Sequence, residues 1–187
     1  MAEYLVQMGQ AVVTWVLFAG VFAGFGMCLR RLCGTPVRSL EDALRSTWIG
    51  WAATIAVLQI WHLFLPVDVR AFALAIGLGG AAFLVNLPTL ARLVRPRIKA
   101  VAACAAVLLL AALWLASHTL TQPTFYDSSL YHLSAVRWTY SFPIVPGLGH
   151  LHGRLAYNNS HFLYVALLDN VWFVHRAHHV ASGLVLF

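Results

Sequence analysis

The sequence contains few charged residues. Only 10% of its 187 residues are Asp, Glu, Lys or Arg, and a single lysine is present. Soluble domains carry about 25% charged residues, so a chain with a mean hydropathy of +0.78 cannot cover its surface with polar groups. The shortage excludes an ordinary soluble domain and predicts a protein whose surface is covered in part by lipid.

Cysteine is also scarce. The three cysteines, Cys28, Cys33 and Cys104, are odd in number, and their spacing matches no Cys-x-x-Cys metal motif. This pattern excludes a disulfide framework. We interpret all three as small apolar side chains.

Long apolar runs, by contrast, are abundant. A bilayer core of about 30 Å is crossed by about 20 helical residues, and four runs meet that length: 6–29, 47–65, 71–90 and 100–118. Another apolar stretch begins after Tyr157. The predicted fold class is all-α, a polytopic transmembrane protein with about four full spans and a fifth that starts near the C-terminus.

The distribution of cations predicts the orientation. The first and third breaks between runs carry four Lys or Arg residues each, whereas the second carries only Arg70. Positively charged loops stay on the cytoplasmic side, so we expect a multi-pass inner-membrane protein with an extracytoplasmic N-terminus. The same clustering argues against a nucleic-acid partner, which a net charge of +6 would otherwise suggest. The oligomeric state is left open.

The chain divides into three predicted parts. Residues 1–118 form a four-helix transmembrane region, and 119–161 form an extracytoplasmic loop with the candidate active site and amphipathic interfacial helices. Residues 162–187 form an interfacial helix and the start of a further span. Since a span that has just begun is an unusual place for a protein to stop, we expect the sequence to be the front part of a longer chain.

Two small features concern helix packing. Gly20-x-x-x-Gly24 is a small-xxx-small pattern, and we interpret it as close packing within the chain in preference to a dimer seam. Asn86 lies two residues before Pro88, and it is predicted to bind a backbone group that the broken helix leaves free.

The loop 119–161 contains one acidic residue, Asp127, which opens the segment YDSSLYHLSAVRW. An aspartate just before a helix is a good N-cap. A carboxylate at a membrane interface is also partly desolvated, which favours the pKa of a general base. The two roles are compatible, and both stay open.

Other polar residues of the loop suit substrate binding. Arg137 and Arg154 can hold a phosphate bidentately, although contact with lipid phosphates explains them equally well. The loop histidines can donate hydrogen bonds or relay protons; they are His132, His150, His152 and His161.

This loop resembles known membrane proteins. YDSSLYHLSAVRW followed by PIVPGLGHLHGRLAYNNSHFL is similar to a group of bacterial multi-pass proteins. A helix that leads into an external loop opening with an aspartate resembles the C-type superfamily of integral-membrane glycosyltransferases. The resemblance implies a polyprenyl-phosphate-linked sugar donor at the outer face of the inner membrane.

The resemblance also implies roles for individual residues. Asp127 would act as base toward an acceptor hydroxyl, and His132 would orient the reacting groups. Arg137 and Arg154 would bind the lipid phosphate, with His152 and Asn158 completing the substrate-binding set. No cofactor or bound metal is predicted, and a divalent cation is kept as an alternative.

Two rival interpretations remain. The segment 175–179 reads His-Arg-Ala-His-His, which matches one histidine box of membrane di-iron desaturases, although those enzymes need about three such boxes. The other rival is a non-catalytic scaffold or a subunit of an envelope-assembly complex. A transporter is disfavoured, because few polar residues lie inside the predicted spans.

Overall fold

A computed structural model of the protein describes residues 1–121, 126–156, 159–173 and 176–186. All regular structure within these ranges is helical, as predicted, and no strand occurs in them. Four long helices come first. They are α1 (Ala2–Leu32), α2 (Leu40–His62), α3 (Val69–Val94) and α4 (Ile98–Thr119). Each contains most of one predicted apolar run.

The polar breaks between the runs set where these helices begin. Ser39 caps α2, and its hydroxyl accepts a hydrogen bond from the Asp42 backbone N–H in a reciprocal capping box. Asp68 caps α3 by accepting from the backbone N–H of Arg70. Between α3 and α4 the three residues Arg95–Arg97 form a single 3-10 turn.

Contacts along α1 give the directions of its neighbours. Gly26 of α1 lies against Ser46 at the start of α2, and Phe22 lies against Gly50 further along, so α1 and α2 are antiparallel. The α3 helix runs parallel to α1, since the rings of Phe18 and Phe72 are 6.3 Å apart and Arg31 contacts Asn86 near the end of both helices.

The α4 helix returns toward the start of α1. The Tyr4 hydroxyl donates to the Ser117 carbonyl over 2.6 Å, whereas the end of α3 lies beside the end of α1. The chain therefore reverses direction at Arg95–Arg97, and α3 and α4 are separate arms of one helical stretch.

Glycine allows the close approach of these helices. A Cβ on Gly24 would overlap the Gly79 carbonyl oxygen, and one on Gly26 would overlap the Ser46 carbonyl oxygen. The interpretation of the Gly20–Gly24 pattern as packing within the chain is confirmed at Gly24, whereas a Cβ on Gly20 would come no nearer than 4.0 Å to the Phe83 ring.

The net charge lies at one end of the helices. We call it the cationic end; its charged side chains are Arg30, Arg31, Arg38, Glu41, Asp42, Arg45, Arg92, Arg95, Arg97 and Lys99. These are eight cations and two carboxylates, which account for the whole formal charge of +6. The rest of the chain has four cations and four carboxylates, and the candidate loop lies there.

Within the described ranges, two helical segments are long and apolar enough to cross a membrane. They are Ala2–Leu32, whose most apolar 18-residue window has a mean hydropathy of 2.1, and the continuous 51-residue stretch Val69–Thr119, whose most apolar window has a mean hydropathy of 2.4. This is fewer than the four spans and a fifth that the sequence predicts. The α2 helix fails this test.

Shorter helices follow α4. A π-helical turn, Ser128–His132, leads into α5 (Leu133–Ser141). The loop after it contains α6 (Leu148–Leu151) and a 3-10 turn at Gly153–Ala156. The last two helices are α7 (Ser160–Leu168) and α8 (His178–Leu186).

The α7 helix lies in the core, although we predicted an interfacial helix there. Its residues 162–168 are all buried. The Tyr164 ring lies 6.2 Å from that of Phe22 in α1 and 6.1 Å from that of Trp51 in α2. Because α7 is apolar on every side, it is buried by the neighbouring helices and has no polar face to turn toward water.

Candidate functional site

The candidate loop is anchored to the turn between α2 and α3. The backbone N–H of Val67 donates to the Thr139 carbonyl over 3.0 Å, and that of Ile144 donates to the His62 carbonyl over 2.8 Å. A ring nitrogen of His62 lies 3.2 Å from the Phe142 carbonyl, so its N–H donates there. These bonds hold the end of α5 at the end of the bundle opposite the cationic end.

Asp127 does not cap a helix. Its backbone is in the right-handed helical region (φ −64°, ψ −27°), and its side chain makes no capping hydrogen bond. The N-cap interpretation is therefore wrong, because helical structure already includes Tyr126 and Asp127. The carboxylate is free to point away from the backbone.

Asp127 forms an ion pair with Arg154. The distance from Asp127 Oδ1 to Arg154 Nη1 is 2.6 Å, and the pair joins residues 27 apart in the sequence. The two side chains are 49% and 41% exposed, respectively. A pair so accessible to water contributes on the order of 0–1 kcal/mol to stability. Its main effect is to join the segment that contains Asp127 to the segment that contains Arg154.

Tyr131 and His152 complete the cluster around Arg154. The Arg154 guanidinium carbon lies 5.4 Å from the centre of the Tyr131 ring, within the range of a cation–π contact. The Arg154 backbone N–H donates to His152 Nδ1 over 3.3 Å. Since Nδ1 accepts this bond, the proton of the neutral imidazole is on Nε2, where it can be donated to a ligand.

The other three predicted site residues are not part of this ion pair. Two of them lie elsewhere in the structure, and the third is outside the described residues. His132 lies between two rings, edge-on to Tyr131 at a centroid distance of 4.3 Å and tilted against Phe162 at 5.4 Å. Arg137 is exposed on α5 and makes no ion pair among the described residues. Asn158 lies outside the described residues.

His161, at the start of α7, is the loop histidine most affected by burial. Burial lowers the pKa of its imidazole below the usual 6.5, because the charged form loses hydration. As the pH falls through about 6.5, the unfolded chain gains a proton that the folded chain does not, so stability decreases until the folded imidazole also titrates.

We expect His161→Gln to reduce the loss of thermal stability between about pH 7 and pH 5. Thermal unfolding of the detergent-solubilised protein at several pH values measures this. The matched control is His150→Gln, since His150 is exposed in the same loop and its replacement should leave the profile unchanged. An unchanged profile in His161→Gln would contradict the assignment.

Comparison with known protein families assigns the chain to one family. A family model described as Domain of unknown function (DUF8201) matches residues 8–187, which is almost the whole chain. The chain belongs to this family. Comparison with curated proteins and with solved structures found no match. The family match includes α1 from residue 8 onward, the other three long helices and both partners of the Asp127–Arg154 pair.

The histidine-box interpretation gains no support in this DUF8201 chain. Among the described residues, no three His, Cys, Asp or Glu side chains come close enough to share a metal ion. His178 and His179 lie together, with ring centroids 4.2 Å apart, and His175 lies outside the described residues. His179 Nδ1 donates to the Thr119 carbonyl over 2.7 Å.

A polar cleft near the start of α1 is a feature that the sequence did not indicate. It has a volume of about 290 Å³, and Gln7, Gln10, Arg176 and His179 contribute its polar groups. Trp172 forms part of the wall, and its indole N–H donates to the Thr14 hydroxyl over 3.0 Å. The sequence feature that could have indicated this cleft is the pair of glutamines, Gln7 and Gln10, three residues apart on a largely apolar helix.

Proposed function

We propose that this chain is part of a multi-pass inner-membrane protein that transfers a sugar from a polyprenyl-phosphate carrier at the outer face. What supports this most is the position of the Asp127 carboxylate. It is half-exposed and lies 2.6 Å from the Arg154 guanidinium, so a base and a phosphate-binding group lie side by side in the loop that resembles C-type glycosyltransferases.

We place four spans in the membrane, which are α1 to α4. The reversal at Arg95–Arg97 supports this count, because it makes Val69–Thr119 two arms, each as long as a bilayer is thick. The exposure of the same stretch gives further support. Only 11% of its most apolar window is buried, whereas a soluble core helix would be buried on its apolar side.

The orientation follows from the charge at the two ends. With the cationic end in the cytoplasm, the N-terminus and the Asp127 loop are extracytoplasmic. A further span begins near α8. Lipid-linked sugars would then reach Asp127 from the outer leaflet.

The proposed reaction uses these groups as follows. The Asp127 carboxylate accepts the proton of the acceptor hydroxyl while the acceptor's oxygen forms a bond to the anomeric carbon of the sugar. The bond from that carbon to the carrier phosphate breaks, and the carrier leaves with the bonding electron pair. Arg154 uses its remaining N–H groups to stabilise the charge on the leaving phosphate, and His152 contributes a further donor.

Sugar transfer by membranes that contain the full-length protein tests this function. A panel of polyprenyl-phosphate sugars is offered to wild type and to Asp127→Asn, which keeps the shape of the side chain and removes the base. We expect transfer to fall by about a hundredfold or more, the usual contribution of a general base.

Asp68→Asn is the matched control. Asp68 is also a carboxylate in a loop, paired with the neighbouring Arg70 at 2.9 Å, and its replacement should leave transfer close to wild type. Equal transfer by wild type and Asp127→Asn would show that Asp127 is not the base. The absence of transfer in both, with every carrier, would favour the second candidate.

That second candidate is a non-catalytic scaffold or a subunit of an envelope-assembly complex. The Asp127–Arg154 pair itself favours it, since a salt bridge that closes the loop accounts for both residues without any chemistry. In that case the loop would present a surface to another envelope protein, neither wild type nor variant would transfer sugar, and Asp127→Asn would only loosen the loop.

A further inference from the structure

The cationic end contains a cleft between the last turn of α1 and the second half of α3. Its volume is about 240 Å³. Its polar lining residues are Arg31, Asn86, Thr89 and Arg92, and its apolar ones are Met27, Pro36 and Val37. Two arginines and a threonine therefore line a space larger than a single small ion needs.

Arg31 is held in place by a buried amide. Asn86 is only 1% exposed, and its Oδ1 accepts a hydrogen bond from Arg31 Nη2 over 3.1 Å. The Asn86 amide N–H₂ donates to the Ala82 carbonyl over 2.8 Å, which fixes the orientation of the amide. A buried polar group on a membrane-facing helix is costly unless it is bonded, so this arrangement positions the Arg31 guanidinium at the edge of the cleft.

Arg92 is also positioned from within its own helix. Its Nε donates to the Pro88 carbonyl over 3.3 Å, and its Nη2 lies 3.5 Å from the Thr89 hydroxyl oxygen. These bonds leave other guanidinium N–H groups available. Arg31 and Arg92 therefore present donors to the same cleft from two different helices.

The positive charge of this cleft is not neutralised by the protein. The two carboxylates of the cationic end are engaged elsewhere, Asp42 with Arg30 at 2.8 Å and Glu41 with Arg45. In the described part of the chain, neither Arg31 nor Arg92 pairs with a carboxylate. This uncompensated positive charge favours the binding of an anion. Guanidinium groups and a hydroxyl can donate hydrogen bonds to the oxygens of a phosphate.

We propose that this cleft binds the phosphate of an anionic lipid headgroup. Exposed apolar side chains of α3 lie just before it, with Leu84 66%, Val85 64% and Leu87 45% exposed, where acyl chains would run. Cationic pockets between helices on the cytoplasmic side bind such headgroups. The lipid source depends on the membrane orientation proposed above, whereas the phosphate contact depends only on the cleft.

Native mass spectrometry of the full-length protein in uncharged detergent tests the site. The protein is titrated with phosphatidylglycerol, with phosphatidylcholine and with inorganic phosphate. We expect one phosphatidylglycerol to be retained in preference to phosphatidylcholine. The double variant Arg31→Gln/Arg92→Gln should weaken this binding by about tenfold or more, while glutamine at position 31 can still bond to Asn86.

The matched control is Arg95→Gln/Arg97→Gln, which removes the same charge from the same end of the helices but from residues outside the cleft. It should change the affinity by less than about threefold. Thr89→Val removes only the hydroxyl, so it tests the cleft even if the arginine variant is poorly folded, and we expect a measurable weakening.

Equal losses in the two double variants would overturn the proposal, because the binding would then be diffuse attraction to a charged surface. Equal retention of phosphatidylglycerol and phosphatidylcholine would also overturn it. Binding of inorganic phosphate as tightly as lipid, with the same dependence on Arg31 and Arg92, would support the phosphate site and assign it a soluble ligand.

Discussion

Replacing Gly50 with alanine is expected to separate α1 from α2 and to cost the protein much of its stability. A Cβ at position 50 would overlap the carbonyl oxygen of Phe22, and one at Gly26 would overlap that of Ser46. The obstructing atoms belong to helix backbone, which cannot rotate away as a side chain can. Overpacking costs about 1–3 kcal/mol where side chains can adjust, so we expect about 3 kcal/mol or more here.

The measurement is the temperature at which the detergent-solubilised protein loses its monodisperse peak in size-exclusion chromatography. Gly77→Ala and Gly80→Ala in α3 are matched controls, since a Cβ at either position has no atom within 4 Å. Alanine is favoured over glycine inside a helix by about 0.5–1 kcal/mol, so these variants should be slightly more stable. Equal destabilisation at positions 50 and 77 would contradict the packing described for α1 and α2.

Exchanging the charges of Asp127 and Arg154 is expected to abolish sugar transfer without unfolding the protein. Asp127→Arg places two guanidinium groups together, and Arg154→Asp places two carboxylates together. Both positions are exposed by more than 40%, so each single change should cost at most about 1 kcal/mol. Transfer should fall by about a hundredfold or more in Asp127→Arg, which loses the base. It should also fall in Arg154→Asp, which loses the group that stabilises the leaving phosphate.

The double variant separates chemistry from structure. Asp127→Arg/Arg154→Asp restores opposite charges across the same gap, so thermal stability should return toward wild type. Transfer should stay lost, because an arginine at position 127 cannot accept a proton. Recovery of transfer in the double variant would show that Asp127 is not the base and that the pair only closes the loop.

The predicted apolar runs and the observed long helices agree because both depend on local composition. Each run is bounded by groups that end or begin helices on their own, such as the Ser39 capping box and the Asp68 cap. The α7 helix could not be placed in this way. Its residues are apolar on all sides, and whether such a helix lies against lipid or inside protein depends on neighbours distant in sequence.

Prediction of the candidate site was limited for the same reason. Asp127, Arg154 and His152 were identified by residue type and by a motif, but the ion pair joins residues 27 apart through an irregular loop. A local rule assigned Asp127 to a helix cap, and the structure shows no cap. Asn86 was assigned to a backbone group freed by Pro88. It bonds instead to the Ala82 carbonyl and to Arg31.

By itself, the sequence determined the helical class, the approximate positions of the four long helices and the concentration of positive charge at one end of them. These follow from hydropathy, capping residues and charge, which act over a few residues. Only the tertiary structure decided which glycines meet a neighbouring backbone, where α7 is buried, and that Asp127 meets Arg154 while Arg137 stays apart. Those contacts join distant segments, and their geometry depends on how the helices pack.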